Sequence, residues 1–177
     1  MAPPVTLDER LLRHCCLTMG TAMNCDIRID PAAEQCWLEH KSLNHIKAAL
    51  RVMLDWKVPS IGVPKKLSSV RFVMQSFQRH IERLMNLEEE GGYLAIVGES
   101  KPHWCPKVEA LRSEHDQFRA AMRDLVPEIQ SMCEDDEQRL LKICDEIGSL
   151  LRRIDRHDQK EAELLQAALS LDEGGEG

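Results

Sequence analysis

Aromatic residues are scarce in this chain: 4% of 177 residues, with three Trp, three Phe and one Tyr. Strands draw on aromatic and β-branched side chains, so this scarcity, with abundant Leu, Glu, Arg and Ala, favours helix over sheet. No apolar run is long enough to span a bilayer, and Met1 to Arg10 lacks the apolar core of a signal peptide. Excess positive charge is missing too. The net charge is −7 with a pI near 5.5, which argues against nucleic acid as the main partner. The seven cysteines are an odd number and match no standard zinc spacing. Without a secretory signal they read as reduced thiols in a cytoplasmic protein. No nucleophile with a positioned base is legible, so the sequence assigns no enzyme.

What is present suits one helical domain with a sizeable core, at 43% hydrophobic and 30% charged residues. Thr6 and Glu9 form a capping-box pattern, so residues 1–30 are expected to hold an additional helix packing on the rest. Asp30-Pro31 is a helix start, and that helix should run to about Trp56 with Cys36, His40, Leu43, Ile46, Leu50 and Met53 inward. His45 falls on its outer face. The stretch Val58 to Pro64 reads as a turn. The next helix is expected over about Lys65 to Glu90, stopped by Gly91-Gly92, with seam Val70, Val73, Phe77, His80, Leu84, Leu87.

Tyr93 to Pro106 reads as a long connection. A third helix follows over about Lys107 to Met132, with Val108, Leu111, His115, Phe118, Met122 and Leu125 inward. Pro127 should kink it or end its regular part. The acidic turn Glu134-Asp135-Asp136 suits the positive end of a fourth helix. Its seam is Leu140, Ile143, Ile147, Leu150, Ile154, His157, Glu161, Leu164, in alternating steps of three and four. Residues 171–177 are polar and read as a disordered tail. The expected fold is all-α: an up-down-up-down four-helix bundle over 31–170 with an additional N-terminal helix.

Each long helix carries one inward His. The separations agree in the two halves: His40 to His80 spans 40 positions and His115 to His157 spans 42. The histidines lie about 24 to 33 Å from the turns at one end of the bundle. All four imidazoles are thus expected at one level, with Glu161 one turn beyond. A buried carboxylate must be protonated, paired or bound to a metal, because desolvating it bare costs several kcal/mol. Neutral imidazoles with a carboxylate are a standard set for iron, zinc or manganese, and bundles build such sites on facing helices. The expected metal ligands are His40, His80, His115, His157 and Glu161. Cys36, four residues before His40 on the same face, is a further candidate, although free Cys is most often plain core.

These positions resemble the hemerythrin-like (HHE cation-binding) family over about Pro31 to Leu169. That family's pattern is an inward His on the first and third bundle helices, and His followed four residues later by Glu on the second and fourth. Matching positions are His40, His80, His115, and His157 with Glu161. The resemblance implies a bundle holding non-haem iron, typically a pair; from the residues themselves one or two iron ions are expected, with zinc as second choice. It also implies oxygen or nitric oxide binding, or redox or iron sensing. In this register Leu84 stands where the family has its first Glu. Arg119 stands where oxygen carriers have an extra His, which disfavours reversible oxygen carriage. Cys15-Cys16 faintly resembles a pair found ahead of the bundle in iron–sulphur repair members. The competing expectations are a degenerate or structural-metal bundle serving as a protein interaction module, and haem held by two imidazoles, which lacks a Cys-x-x-Cys-His attachment and suits Glu161 poorly.

Overall fold

The computed structural model describes residues 31–57, 59, 62–90 and 92–170, and among these the regular structure is entirely helical. Four long helices are present: α1 (Pro31–Asp55), α2 (Val63–Glu89), α4 (Cys105–Ser131) and α5 (Glu137–Ser170), with a short α3 (Tyr93–Ser100) before α4. The expected N-terminal helix, the Cys15-Cys16 pair and the tail lie outside the described residues.

Local signals explain most boundaries. Pro64 in the first turn of α2 and Pro106 in the first turn of α4 sit where the missing N–H was unpaired anyway. Asp136 caps α5: its Oδ1 accepts the Arg139 N–H at 3.0 Å. Buried Lys66 donates to the carbonyls of Leu54 (2.9 Å) and Trp56 (2.8 Å), satisfying the end of α1. Pro127 lies inside α4 on an exposed position, and the helix continues through it.

The four long helices close a ring. The α1 helix packs on α2 and α5, and α4 packs on the other sides of the same two. Cross-helix contacts pair early residues of one helix with late residues of the next. Arg71 Nε donates to the Ile129 carbonyl (2.8 Å) and Arg139 pairs with Glu128 (3.3 Å). Between α1 and α5, buried Lys47 binds Asp158 (2.5 Å) and Asp155 (3.3 Å).

The core is in two parts. A long apolar cluster runs from Cys36 and Leu43 through Leu67, Phe77, Phe118 and Ile129 to Ile143 and Ile154. Removing a side chain such as Phe77 from it should cost about 3–5 kcal/mol. A smaller cluster gathers Tyr93, Leu94 and Val97 of α3 with Val108, Leu111, Leu164, Leu165 and Ala168. Between the two lies a buried polar layer. The α3 helix, expected only as loop, closes the bundle beyond that layer. Its entry residue Gly92 cannot carry a side chain: a Cβ there would stand 2.5 Å from the Leu87 carbonyl oxygen and 2.7 Å from Glu88 Cα.

Candidate metal centre

The polar layer joins all four long helices. It contains His40 and Cys36 from α1, Glu88 from α2, His115 from α4, and His157 and Glu161 from α5, all buried. The α5 pair is one turn apart on the inner seam, so His157 Nε2 lies 3.0 Å from Glu161 Oε1. His115 Nε2 approaches His157 Nε2 to 2.9 Å, Glu88 Oε2 to 3.4 Å and Glu161 Oε1 to 3.8 Å. On the α1 side, His40 Nε2 lies 2.8 Å from Glu88 Oε1. Despite that distance the two atoms are not aligned for a hydrogen bond, and both are buried without a hydrogen-bond partner.

Each α4–α5 imidazole is oriented from outside. His115 Nδ1 donates to Glu89 (2.7 Å), which Arg119 holds at 2.9 Å. His157 Nδ1 donates to Glu114 (2.8 Å), which in turn takes Lys160. Carboxylates on Nδ1 fix the tautomer, so Nε2 of each ring presents its lone pair to the layer. Two lone pairs at 2.9 Å repel. The contact therefore needs a proton or a metal ion.

Charge in the layer is balanced among these groups. Burial alone would lower the His157 pKa, but the Glu161 charge and the hydrogen bonds that Glu161 and Glu114 accept from the ring raise it to about 9. His115 is also raised, burial again being outweighed by Glu161 and Glu88. Burial opposes ionisation of His40, yet Cys36 and Glu88 hold it well above the usual imidazole value. Burial and repulsion from Glu161 push the Glu88 carboxyl up. Glu161 goes the other way: the histidines beside it overcome burial and hold it below the usual carboxylate range. Burial pushes the Cys36 thiol up.

Tyr93 completes the layer from α3, its hydroxyl donating to Glu161 Oε1. Burial first, then the Glu161 charge, hold this phenol well above its ordinary value. A cleft of about 230 Å³ opens beside Glu114, lined also by Gln117, Phe118, Arg153, Arg156 and Lys160.

The structure thus brings together Cys36, His40, His115, His157 and Glu161. His80 is not among them. One third (33%) of its side chain is exposed, and its Nδ1 binds Glu39 (2.7 Å), which also takes Arg83 (3.0 Å). The expectation of four imidazoles at one level therefore holds for three. Glu88 falls outside the seam expected for α2 and Tyr93 in the expected connection, yet both lie in the layer. Leu84 is buried one turn before Glu88.

The donor set suits one small transition ion. Two metal–ligand bonds of about 2.05 Å span at most about 4.1 Å, and the three separations among His115, His157 and Glu161 (2.9, 3.0 and 3.8 Å) all fall within that. No described helix is long and apolar enough to cross a membrane. The chain matches no known family model, no curated protein and no solved structure.

Proposed function

We propose that this chain is a hemerythrin-like, non-haem iron-binding bundle that binds or senses a diatomic gas or a redox state. The arrangement would be up-down-up-down over 31–170, a reading supported by the early-to-late contacts Arg71–Ile129 and Arg139–Glu128 and by the opposed register of Lys47–Asp158 and Arg51–Asp155. The observation that carries the function is the pair His115–His157. Each ring has Nδ1 tied to a carboxylate and Nε2 turned to Glu161 inside a buried layer. That is how proteins hold imidazoles for a metal.

The register of the resemblance changes with Glu88. If Glu88 is the second-helix carboxylate, the position four residues before it is Leu84, not His80. The chain then has both family carboxylates, Glu88 and Glu161, and lacks one imidazole. Glu88 faces two ways, Oε1 to His40 and Oε2 to His115, as a carboxylate shared by two ions would. His115, His157 and Glu161 would hold the first ion, with His40 and Glu88 offering donors for a second. Iron so held supplies a reducible centre open to a small ligand such as oxygen or nitric oxide. The protein's own part is to orient the imidazoles, exclude water and keep Glu161 ionised. Tyr93 fixes the Glu161 carboxylate and is a proton donor at the same oxygen.

Two imidazoles and a carboxylate suit iron or zinc alike, and iron is preferred on the resemblance to the hemerythrin-like family. Haem is disfavoured because the two Nε2 atoms stand 2.9 Å apart, whereas imidazoles on opposite porphyrin faces stand about 4 Å apart. The test is elemental analysis and absorption spectroscopy of untagged protein loaded with ferrous iron under nitrogen, then exposed to air or nitric oxide. At least one ion per chain and new near-ultraviolet or visible bands are expected. Loss of both in His115→Ala and Glu161→Gln is expected too. Retention of no iron by a fully helical wild-type protein refutes the reading.

A further inference from the structure

Cys36 touches the layer without a role in the first ion's shell. It lies one turn before His40 on α1, buried, and Cys36, His40 and Glu88 have donor atoms within 4.8 Å of one another. Two of those three residues carry the layer's orphaned atoms. His40 Nε2 and Glu88 Oε1, on residues 4% and 1% exposed, stand 2.8 Å apart and have no hydrogen-bond partner. Buried polar atoms left without an aligned hydrogen bond are costly. The His40–Glu88 pair is close but unaligned, and a cation replacing the imidazole proton would engage both atoms.

We propose that Cys36 is a metal ligand, forming with His40 and Glu88 a sulphur-containing position distinct from the one at His115, His157 and Glu161. It rests on the reading of the polar layer as a metal centre. The ligand chemistry is one thiolate, one imidazole and one carboxylate, which suits ferrous iron or zinc. Bonds of about 2.3 Å to sulphur and about 2.0–2.2 Å to oxygen span roughly 4.3–4.5 Å. A side-chain adjustment of a few tenths of an ångström closes the set. Ligation breaks the S–H bond and releases its proton to solvent, so the new thiolate offsets the charge of the second cation. Leu84 explains why sulphur is used here. It is apolar at the α2 position one turn from Glu88, so no imidazole is supplied from that helix and α1 provides the missing donor instead.

The two positions also differ in kind. The α4–α5 position has only nitrogen and oxygen donors, each imidazole backed by an outer carboxylate. The α1–α2 position is softer, and Glu88 is the residue facing both. An ion preferring sulphur should partition to the Cys36 position, and an oxygen-seeking ion to the other.

Cobalt(II) titration of the full chain under reducing, oxygen-free conditions separates the outcomes. Cobalt shows visible d–d bands with any donor set, but an intense near-ultraviolet charge-transfer band only with thiolate. The expected result is both features in wild type, with the second growing over a distinct equivalent. Cys36→Ser should remove the charge-transfer band while keeping the d–d bands and the helical circular dichroism. Its cobalt affinity at that equivalent should fall ten- to a hundredfold or more. His40→Ala and Glu88→Gln should weaken the same band, and a Cys15→Ser/Cys16→Ser/Cys25→Ser variant should retain it. Cobalt d–d bands with no charge-transfer band overturn the Cys36 assignment and leave the first position standing. A band that persists in Cys36→Ser overturns it as well. No cobalt uptake in any form overturns both.

Discussion

Raising the pH of the metal-free protein from about 6.5 to 9 should destabilise it through His157. In the folded protein this imidazole titrates at about 9; in an unfolded chain the value is about 6.5. Folding therefore takes up a proton throughout that interval. The stability supplied by the charged ring is fully present below pH 6.5 and is lost as pH climbs through 9. The gap corresponds to about 3 kcal/mol. The depressed Glu161 carboxyl is the same interaction seen from its other partner and is not added. His115, His40 and Glu88, all raised, act in the same sense as His157, because each holds its proton more tightly in the folded protein. The clean measurement is thus the difference between wild type and His157→Gln. Urea denaturation in excess chelator, followed by circular dichroism across this pH range, gives it directly. Metal reverses the sign. A bound imidazole must be deprotonated, so ion and proton compete and the metal-loaded protein should gain stability as pH rises. A difference between wild type and His157→Gln that stays flat from pH 6.5 to 9 in chelator would refute the charge balance described for the layer.

Other changes test neighbouring parts of the layer. Tyr93→Phe keeps the packing of α3 but removes the only phenol from Glu161; it should cost about 1–3 kcal/mol in metal-free protein, measured by denaturation, and less once an ion holds the carboxylate. Gly92→Ala forces a Cβ into the Glu88 backbone. It should destabilise by about 1–3 kcal/mol or more and lower metal affinity together, read by thermal melting and equilibrium dialysis. Leu84→His restores an imidazole one turn from Glu88. It should raise metal affinity and content, whereas in a bundle with no metal chemistry it would bury a polar ring at a cost of about 1–3 kcal/mol.

The bundle was legible in the sequence because three of its four long helices repeat apolar residues in clean steps. The His115 and His157–Glu161 positions could be read for the same reason: each continues an unbroken seam. The α2 helix was misread by one residue at alternate positions. Val70, Phe77 and Leu84 belong to both the expected and the observed seam. Between them the choice lay between Val73, His80 and Leu87 and the set Met74, Ile81 and Glu88. The pattern preferred Leu87 to Glu88, since an inward carboxylate is penalised by any apolar criterion. The fold buries Glu88 and leaves Leu87 half-buried, because imidazoles on α1 and α4 stand ready to meet the carboxylate. That compensation is tertiary and is invisible along one helix. Tyr93 escaped notice for another reason. Its helix has eight residues, too few for a periodicity to declare itself beside Gly92 and Pro102.

The short α3 also governs how fast an ion could come and go. The atoms of the layer are nearly sealed, and the polar ring is covered on one side by the long core and on the other by Tyr93, Leu94 and Val97. Exchange then waits on a local opening of the chain, and α3, anchored through three buried side chains, is the element with least to lose by lifting. Residence time and affinity are decoupled by such a cap. A chelator can win at equilibrium and still strip the protein slowly, at a rate that saturates with chelator concentration once opening of α3 becomes limiting. An ion trapped in this way would report on the history of its surroundings as much as on their present composition.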